Sequence, residues 1–317
     1  MTAHAVLYRR TESGLQRLAV SSLSFCRKKQ PDGWIVGQQK KVTVADMPKY
    51  AILSDIHANL EALQVVLEKC RQENIENFIS LGDIVGYNAN PAECLQLIRS
   101  LNLLATVKGN HDEYTANGDM EISGFNPNAK IAIKWTRDQL SEEDRKWLGD
   151  QPYRTQISAL GSTLVHATLD TPENWGYVFD SHHAVDNFSY QWTALCFCGH
   201  SHVPVAFCKK PVTAGSGNYI DELKDWVYNS SDESCNEDFT KADALTVYYK
   251  IGHKYLFNIG SIGQPRNGDP RASFAILDTD NKSVTRYRLP YDIAAVQEKI
   301  LNAGLPERLA RRLATGN

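Results

Sequence analysis

Acidic, amide and imidazole side chains recur in this 317-residue sequence where short apolar runs end in polar, glycine-containing loops. Asp55 and His57 follow the run at 50–53, and side-chain alternation in an extended chain puts both on the same side. Asp83 follows a second run at 78–81. Taken alone, an aspartate after such a run is more typical of a turn or a helix cap than of a metal ligand.

Further candidates follow later apolar runs in the same way. Asn110 and His111 come after the third run, His166 after the fourth, and His200 and His202 after the fifth. Because the carboxyl ends of strands in an α/β sheet form the usual binding edge, we expect these side chains to gather there. Chance rarely places so many ligands at strand ends, so the whole set favours a metal site although its single members do not.

The residue types in this set indicate the chemistry. Two carboxylates, one amide and four imidazoles form a mixed oxygen and nitrogen donor set, which suits manganese, iron or zinc. Seven ligands are too many for one open catalytic ion, but they suit two ions about 3.5 to 4 Å apart that share a carboxylate and hydrolyse a phosphate ester. We therefore predict two divalent or mixed-valence ions. Their candidate ligands are Asp55, His57, Asp83, Asn110, His166, His200 and His202.

The elements that must position these residues alternate as in an α/β protein. Apolar runs at 50–53 and 78–81 are each followed by helical periodicity, and the run at 103–107 leads to the next candidate loop. Residues 127–149 predict a helical cover, and short apolar runs between 163 and 289 predict a β-rich second half. The sequence therefore predicts an α/β fold with its site at the carboxyl ends of strands.

The chain is expected to consist of one domain at 47–317 and an N-terminal extension of uncertain structure at 1–46. Within the domain, 229–243 reads as a polar surface loop and 291–317 as C-terminal helices. The extension is basic and poor in acids, and its alternatives are an over-long reading frame before Met47, an organelle-type leader or a short hairpin.

Composition narrows the classes of function. The chain is 42% hydrophobic and 22% charged, which indicates a folded core. Its net charge of -3 gives no global signal for nucleic acid or an anionic membrane, and no protein partner is apparent. Without an apolar span or a signal-peptide core, we expect a cytoplasmic protein. Its seven cysteines are expected to be reduced, with Cys196 and Cys198 buried in a strand rather than binding metal.

The ordered motifs resemble those of a known family. The run "DIH", "GDIVGY", "GNHD", "VHAT" and "GHSHVP" resembles the calcineurin-like metallophosphoesterase superfamily. The segment "NIGSIGQPRNGDPRASFAILD" and the tail "GLPERLARRLATG" resemble its small bacterial phosphodiesterase branch. The resemblance covers about residues 49–316 and implies a four-layer αββα sandwich of two mixed β-sheets. The site would lie where strand ends of both sheets meet.

The resemblance also implies roles for individual residues. One metal ion would be held by Asp55, His57 and His202. The other would be held by Asn110, His166 and His200. Asp83 would bridge the two ions, and His111 would bind the substrate phosphate or protonate the leaving oxygen.

One departure from the family pattern bears on the substrate. Phosphoprotein phosphatases of this superfamily carry an aspartate three residues after the bridging aspartate, where it orients the catalytic histidine, and this sequence has Gly86. The expected substrate is therefore a phosphodiester or phosphoanhydride, and the resemblance admits a dinucleoside polyphosphate. A protein serine/threonine phosphatase is the alternative within enzymes. A non-catalytic metal-binding scaffold is the alternative from another class of function. It predicts that some metal ligands would be replaced by other residues, whereas all seven are present in this sequence.

Three residues near the ligand loops are candidates for substrate binding. Arg266 lies in a glycine-rich loop, where its guanidinium could bind a phosphate, and an ion pair with a nearby aspartate is the alternative. Asn59 and Tyr87 follow ligand loops, with capping or packing as the alternative. Trp175 and Tyr177 could stack on a base, with core packing as the alternative.

Overall fold

The computed structural model describes residues 4–11, 14–22, 49–118, 125–211, 220–223 and 243–317. The chain divides into two compact units, Met1–Ala45 and Asp46–Asn317. In the first unit, β1 (His4–Thr11) pairs antiparallel with β2 (Gly14–Ser22), which agrees with the hairpin alternative. The polar loop predicted at 229–243 lies outside the described residues, apart from its last position.

The second unit contains two six-stranded sheets, of which the first carries three of the candidate loops. Its strands in spatial order are β11 (Ala244–Tyr248), β14 (Ser283–Leu289), β13 (Ala272–Asp278), β3 (Lys49–Leu53), β4 (Asn77–Ser80) and β5 (Leu103–Thr106). Strands β3, β4 and β5 are parallel, whereas β13 pairs antiparallel with both β3 and β14. The sheet is therefore mixed.

The second sheet carries the other candidate loops. Its strands in spatial order are β10 (Ile220–Glu222), β9 (Val205–Lys209), β12 (Lys254–Asn258), β8 (Leu195–Cys198), β7 (Ser162–Val165) and β6 (Arg154–Ile157). Strands β7, β8 and β12 are parallel, and β9 and β6 pair antiparallel with β12 and β7. The sequence patterns did not predict β6, because its residues are largely polar and lack an apolar run.

Eight α-helices connect and cover the sheets within the described residues. They are α1 (Leu60–Gln72), α2 (Pro91–Ser100), α3 (Asn110–Ala116), α4 (Pro127–Gln139), α5 (Glu142–Gly149), α6 (Ser181–Tyr190), α7 (Ile293–Asn302) and α8 (Glu307–Leu313). The expected capping by Ser141 is present, since its hydroxyl accepts from the Asp144 amide at 3.1 Å. None of these helices is long and apolar enough to cross a bilayer.

The core lies between the two sheets. Ile52 and Ile79 of the first sheet pack in one fully buried cluster with Phe197 and Phe257 of the second, whose rings are stacked 5.6 Å apart. Each such side chain contributes about 1.5 to 3 kcal/mol when it is removed from water. This packing holds the strand ends of the two sheets together.

Helices cover the outer face of each sheet. Apolar side chains of α1 and α2, such as Leu63 and Leu95, pack on the first sheet, and Phe188 of α6 packs on the second beside Cys196 and Cys198. Both cysteines are buried and free, as predicted. The order helix, sheet, sheet, helix confirms the predicted four-layer αββα sandwich.

Candidate metal centre

Six of the seven predicted ligands lie in loops that follow β3, β4, β7 and β8, and Asn110 is the first residue of α3 after β5. All seven are buried, with at most 6% exposure. Six of them, all except Asn110, form two groups whose potential ligand atoms lie within 4.8 Å of one another. The first group is Asp55, His57, Asp83 and His202. The second group contains Asp83, His166 and His200. Asp83 belongs to both groups, as a bridging position requires.

Imidazole nitrogens converge in the first group. His57 Nε2 lies 3.0 Å from His202 Nε2, and His202 Nε2 lies 3.1 Å from Asp55 Oδ1. His57 Nδ1 donates to the Val85 carbonyl at 3.0 Å, and His202 Nδ1 donates to the Gln264 carbonyl at 2.5 Å. Because a carbonyl only accepts, the proton of each neutral ring is on Nδ1. Two Nε2 lone pairs therefore face each other, an arrangement that suits a shared cation.

Backbone carbonyls also orient the histidine rings of the second group, but one of these rings is bonded through Nε2 instead of Nδ1. His166 Nδ1 donates to the Leu81 carbonyl at 2.7 Å, which leaves Nε2 3.4 Å from Asp83 Oδ2. His200 is turned the other way, since its Nε2 donates to the Trp175 carbonyl at 2.9 Å. Its free lone pair is therefore on Nδ1. Backbone carbonyls that hold the far nitrogen of a ligand histidine are typical of metal centres.

The carboxylates of the site are ionised despite complete burial. Burial opposes the charge on Asp55, but His202 and His166 outweigh it and lower the pKa of this carboxyl below its ordinary value. Burial likewise opposes the charge on Asp83, whose pKa is lowered by His166 and His111. Buried negative charge of this kind needs a positive partner.

The buried surroundings lower the pKa of three of the ligand histidines and raise that of the fourth. Burial lowers the pKa of His57, of His202 and of His200, the last to about 3, so these rings are neutral and can offer lone pairs. For His166 burial also acts to lower the pKa, but Asp83 and Asp55 outweigh it and raise the pKa to about 9. The centre therefore draws a positive charge towards the position of His166 Nε2.

Two buried side-chain atoms of the candidate ligands have no hydrogen-bond partner within the described part of the chain. They are Asn110 Oδ1 and His166 Nε2. An unsatisfied buried polar atom costs about 1 to 3 kcal/mol, so a structure retains it where something else binds it. Together with the ionised carboxylates, these atoms fit a pair of divalent metal ions.

Backbone strain marks the same loops. Five of the candidate ligands have a positive φ, between 49° and 65°, which non-glycine residues rarely adopt: Asp55, His57, Asp83, His200 and His202. Each such residue costs about 1 to 3 kcal/mol, and strain of this kind clusters at functional sites. A side chain at Gly199 would collide with Asp55, because its Cβ would lie 2.3 Å from Asp55 Oδ2.

Asp112 is a positioning residue that the sequence reasoning did not single out. Its Oδ1 accepts from the amides of Ile84 and Val85 at 2.9 and 3.3 Å, and its Oδ2 accepts from the Gly109 amide at 3.1 Å. The carboxylate thus joins the loop after β4 to the loop after β5. Burial and the neighbouring Asp83 raise the pKa of Asp112 to about 7. Its place in the "GNHD" motif was the available signal.

His111 lies beside the two groups, and its backbone amide donates to Asp83 Oδ1 at 2.8 Å. Its ring packs 4.3 Å from the Tyr87 ring and 5.4 Å from the Phe125 ring. Nδ1 is buried without a hydrogen-bond partner among the described residues, and a Cβ on Gly86 would lie 2.5 Å from it. Aromatic packing, rather than a carboxylate, therefore orients His111. Burial lowers its pKa to about 4.

A cavity of about 1100 Å³ opens onto these groups, and the substrate-binding candidates differ in their relation to it. Tyr87 and Arg266 line the cavity, whereas Asn59 does not. Asn59 is fully buried and caps α1, since it accepts from the Ala62 amide at 3.0 Å and donates to the Gly263 carbonyl at 2.9 Å. Both polar ends of Asn59 are thus used within the fold, which favours capping over substrate binding for this residue.

Arg266 is held by a neutral partner. Its Nη2 donates to Gln264 Oε1 at 2.9 Å, and its guanidinium lies 5.6 Å from the centre of the Tyr87 ring. Asp269, the nearby aspartate, pairs instead with Arg271 at 2.8 Å. Arg266 has no carboxylate partner among the residues that the structure describes, and its charge is available to the cavity.

Two aromatic residues form another part of the cavity wall. Trp175 and Tyr177 both line it, and the Tyr177 ring stacks on His200 with centroids 4.3 Å apart and an interplanar angle of 20°. Tyr177 is 42% exposed, so it is not a core residue. The two rings give the cavity a flat apolar side.

Comparisons with known proteins agree with this geometry. The model of the calcineurin-like phosphoesterase superfamily domain matches residues 49–221. A protein of Methanocaldococcus jannaschii described as uncharacterized is 37% identical over 268 residues, which cover 84% of this chain and 97% of the relative.

Solved structures give the same result. The crystal structure of a metallophosphoesterase from Sphaerobacter thermophilus is 36% identical, with a TM-score of 0.67 and coverage of 85% of this chain and 99% of that one. A hypothetical protein of Pyrococcus horikoshii, at 20% identity, a TM-score of 0.62 and coverage of 86% and 99%, shows the fold alone. The narrower bacterial branch stays a prediction. The chain belongs to the calcineurin-like phosphoesterase superfamily, and its chemistry is that of a phosphoric ester hydrolase.

Proposed function

We propose that the protein hydrolyses a phosphodiester or phosphoanhydride at two divalent or mixed-valence metal ions. The supporting observation is the convergence of imidazole nitrogens and ionised carboxylates on two adjacent positions that share Asp83. The first ion would be held by Asp55, His57, Asp83 and His202. The second would be held by Asp83, Asn110, His166 and His200. When bound, such ions supply a hydroxide nucleophile and offset charge on the phosphoryl oxygens.

We assign proton donation to His111. Its Nδ1 is buried against Gly86 with no acceptor in the described chain, so a proton on Nδ1 would lack a hydrogen bond. The neutral ring therefore carries its proton on Nε2. His111 also lines the cavity. Nε2–H would therefore donate a hydrogen bond to the leaving oxygen as the bond to phosphorus breaks. Transfer of a proton to that oxygen would come from the imidazolium form of His111, which the negative charge of a bound phosphate favours.

Arg266 would bind the phosphoryl group under attack. Gln264 holds one terminal nitrogen at 2.9 Å, and the Nε atom has no partner in the described structure. A guanidinium held in this way can offer a pair of parallel donors to phosphate oxygens. The Tyr87 ring, whose centre lies 5.6 Å from the Arg266 guanidinium, would support it by a cation–π contact.

Replacement of Gly86 by alanine tests how His111 is positioned. The new methyl group would lie 2.5 Å from His111 Nδ1, and the φ of +90° is strained for any side chain. We expect turnover to fall about tenfold or more, which corresponds to about 1.4 kcal/mol of lost transition-state stabilisation. The metal content should not change. Introducing Gly86→Ala into the His111→Ala protein should cause little further loss, and fully additive losses would show that Gly86 acts elsewhere.

The purified protein, loaded with manganese and assayed with bis-p-nitrophenyl phosphate, tests the proposed function. We expect metal-dependent turnover that a chelator removes and that manganese restores. Full occupancy by two metal ions without turnover would instead support a non-catalytic scaffold. Diadenosine tetraphosphate and a phosphoserine peptide, assayed beside the diester, separate an anhydride substrate from the protein phosphatase alternative.

Two observations bear on the alternatives. No space exists for an orienting aspartate at Gly86 while His111 keeps its place, which weighs against a protein phosphatase of that kind. All seven ligands and His111 are present and gathered, which weighs against a scaffold.

The buried, free cysteines of the described chain support a cytoplasmic location, which we propose on this ground.

A further inference from the structure

Arginines form one wall of the cavity beside the candidate metal centre. Arg308, Arg311 and Arg312 of α8 line it together with Arg266. The only carboxylate side chain among the described residues that line the cavity is that of Asp83, which the metal ions would use. This wall therefore carries more positive charge than a single phosphoryl group requires.

The apolar side of α8 holds these arginines in place. Leu309 and Leu313 are 2% and 1% exposed and pack in one cluster with Ile300 of α7 and Ala132 of α4. Arg308 and Arg312 are four residues apart, so both project from the same face of the helix. The cavity lies on that face.

The loop that carries Arg266 is attached to the end of the chain. The Gly268 amide donates to the Gly316 carbonyl at 2.9 Å. Gly316 has a φ of +64°, and a Cβ there would lie 2.7 Å from the Asp269 carbonyl carbon. The close fit keeps the residues after α8 against the Arg266 loop. The position of Arg266 relative to the arginines of α8 is therefore fixed.

The arginines of α8 differ in how they are neutralised. Arg311 pairs with Glu307 at 2.5 Å. In the described structure, neither Arg308 nor Arg312 has a carboxylate side chain as a partner, and Arg312 Nε donates to the main-chain oxygen of Asn317, the last residue of the sequence. Burial and the nearby charges of Arg266 and Arg308 lower the pKa of Arg312 to about 10. Like charges are thus held close together, a situation that a bound anion relieves.

We propose that Arg308 and Arg312 bind a second phosphate group of the substrate, next to the phosphoryl group held at the metal centre and Arg266. This inference rests on the proposed function and narrows it to phosphoanhydrides and to esters with more than one phosphate. A simple diester with one phosphate would leave the two guanidinium groups unused. Arg308 and Arg312 thereby determine specificity rather than the chemical step.

Binding of two inorganic probes to the manganese-loaded protein tests this assignment without relying on turnover. Triphosphate spans both subsites, whereas orthophosphate occupies one. Calorimetry would give the dissociation constant of each probe for the wild type and for the double variant Arg308→Gln, Arg312→Gln. We expect the constant for triphosphate to rise at least about tenfold more than that for orthophosphate, because hydrogen bonds to charged groups are the strong ones.

The control is Arg71→Gln, which removes the same charge from an exposed arginine of α1 that is bonded to Glu68. Both constants should be unchanged in it. Equal changes for the two probes in the double variant, or no change for either, would overturn the inference. The two proposals fail separately: lack of bis-p-nitrophenyl phosphate turnover contradicts the proposed hydrolysis, whereas the ratio of the two dissociation constants decides the second subsite.

Discussion

Replacing Asp83 with asparagine is expected to abolish turnover of bis-p-nitrophenyl phosphate and to leave the protein with fewer than two metal ions. The Oδ2 atom of Asp83 lies 3.5 Å from His57 Nε2 and 3.4 Å from His166 Nε2, so it stands between the two groups of ligands. Asparagine offers one neutral oxygen in place of a shared carboxylate. Loss of residues that only support a ligand costs about 10- to 100-fold in activity, so we expect a larger loss here.

Steady-state kinetics and metal analysis of the purified variant measure this outcome. Asp150→Asn is the matched control, because this exposed carboxylate at the end of α5 pairs only with Lys146 among the described ion pairs. It should match the wild type in both measurements. The metal-free Asp83→Asn protein should be no less stable to heat than the metal-free wild type, since a buried charge has been removed. Unchanged activity with two ions bound would contradict the bridging role.

Replacing His111 with alanine should slow turnover about 100- to 10,000-fold while both metal ions stay bound. The expectation follows from the position of the ring, which lines the cavity while only its backbone amide contacts Asp83. A proton donor matters less when the leaving group is a weaker base. The loss should therefore shrink for esters with more acidic leaving groups, which a merely structural role for His111 would not produce.

Kinetics with a series of aryl phosphodiesters measure this dependence, and metal analysis accompanies them. His182→Ala is the matched control, because His182 is exposed on α6 and does not line the cavity. It should retain wild-type activity. Loss of a metal ion from the His111→Ala protein would show that His111 is itself a ligand.

Local sequence features determined much of this site. Apolar runs that end in polar loops predicted strands with ligands at their carboxyl ends, and all seven predicted ligands lie at such ends. The order of the motifs predicted the superfamily and the αββα sandwich, both of which are confirmed. These features are readable because side-chain alternation and apolar runs depend only on neighbouring residues.

Which atom of each ligand faces the metal centre depends on contacts distant in sequence. His57, His166 and His202 present Nε2, whereas His200 presents Nδ1, because the Trp175 carbonyl holds its other nitrogen. Asn59 shows the same limit. Its capping of α1 is local and was an alternative that the sequence offered, but its bond to Gly263 joins residues 204 positions apart. No local pattern carries such information.

Tertiary packing also decided what surrounds the metal centre. The sequence determined that the chain ends in a helix rich in arginine, but only the burial of Leu309 and Leu313 against α4 and α7 turns Arg308 and Arg312 towards the cavity. In the same way Gly86 was visible as a departure from a motif, while its contact with His111 appeared only in the folded chain. Residue types and their order are local properties, whereas the convergence of side chains depends on how the layers pack.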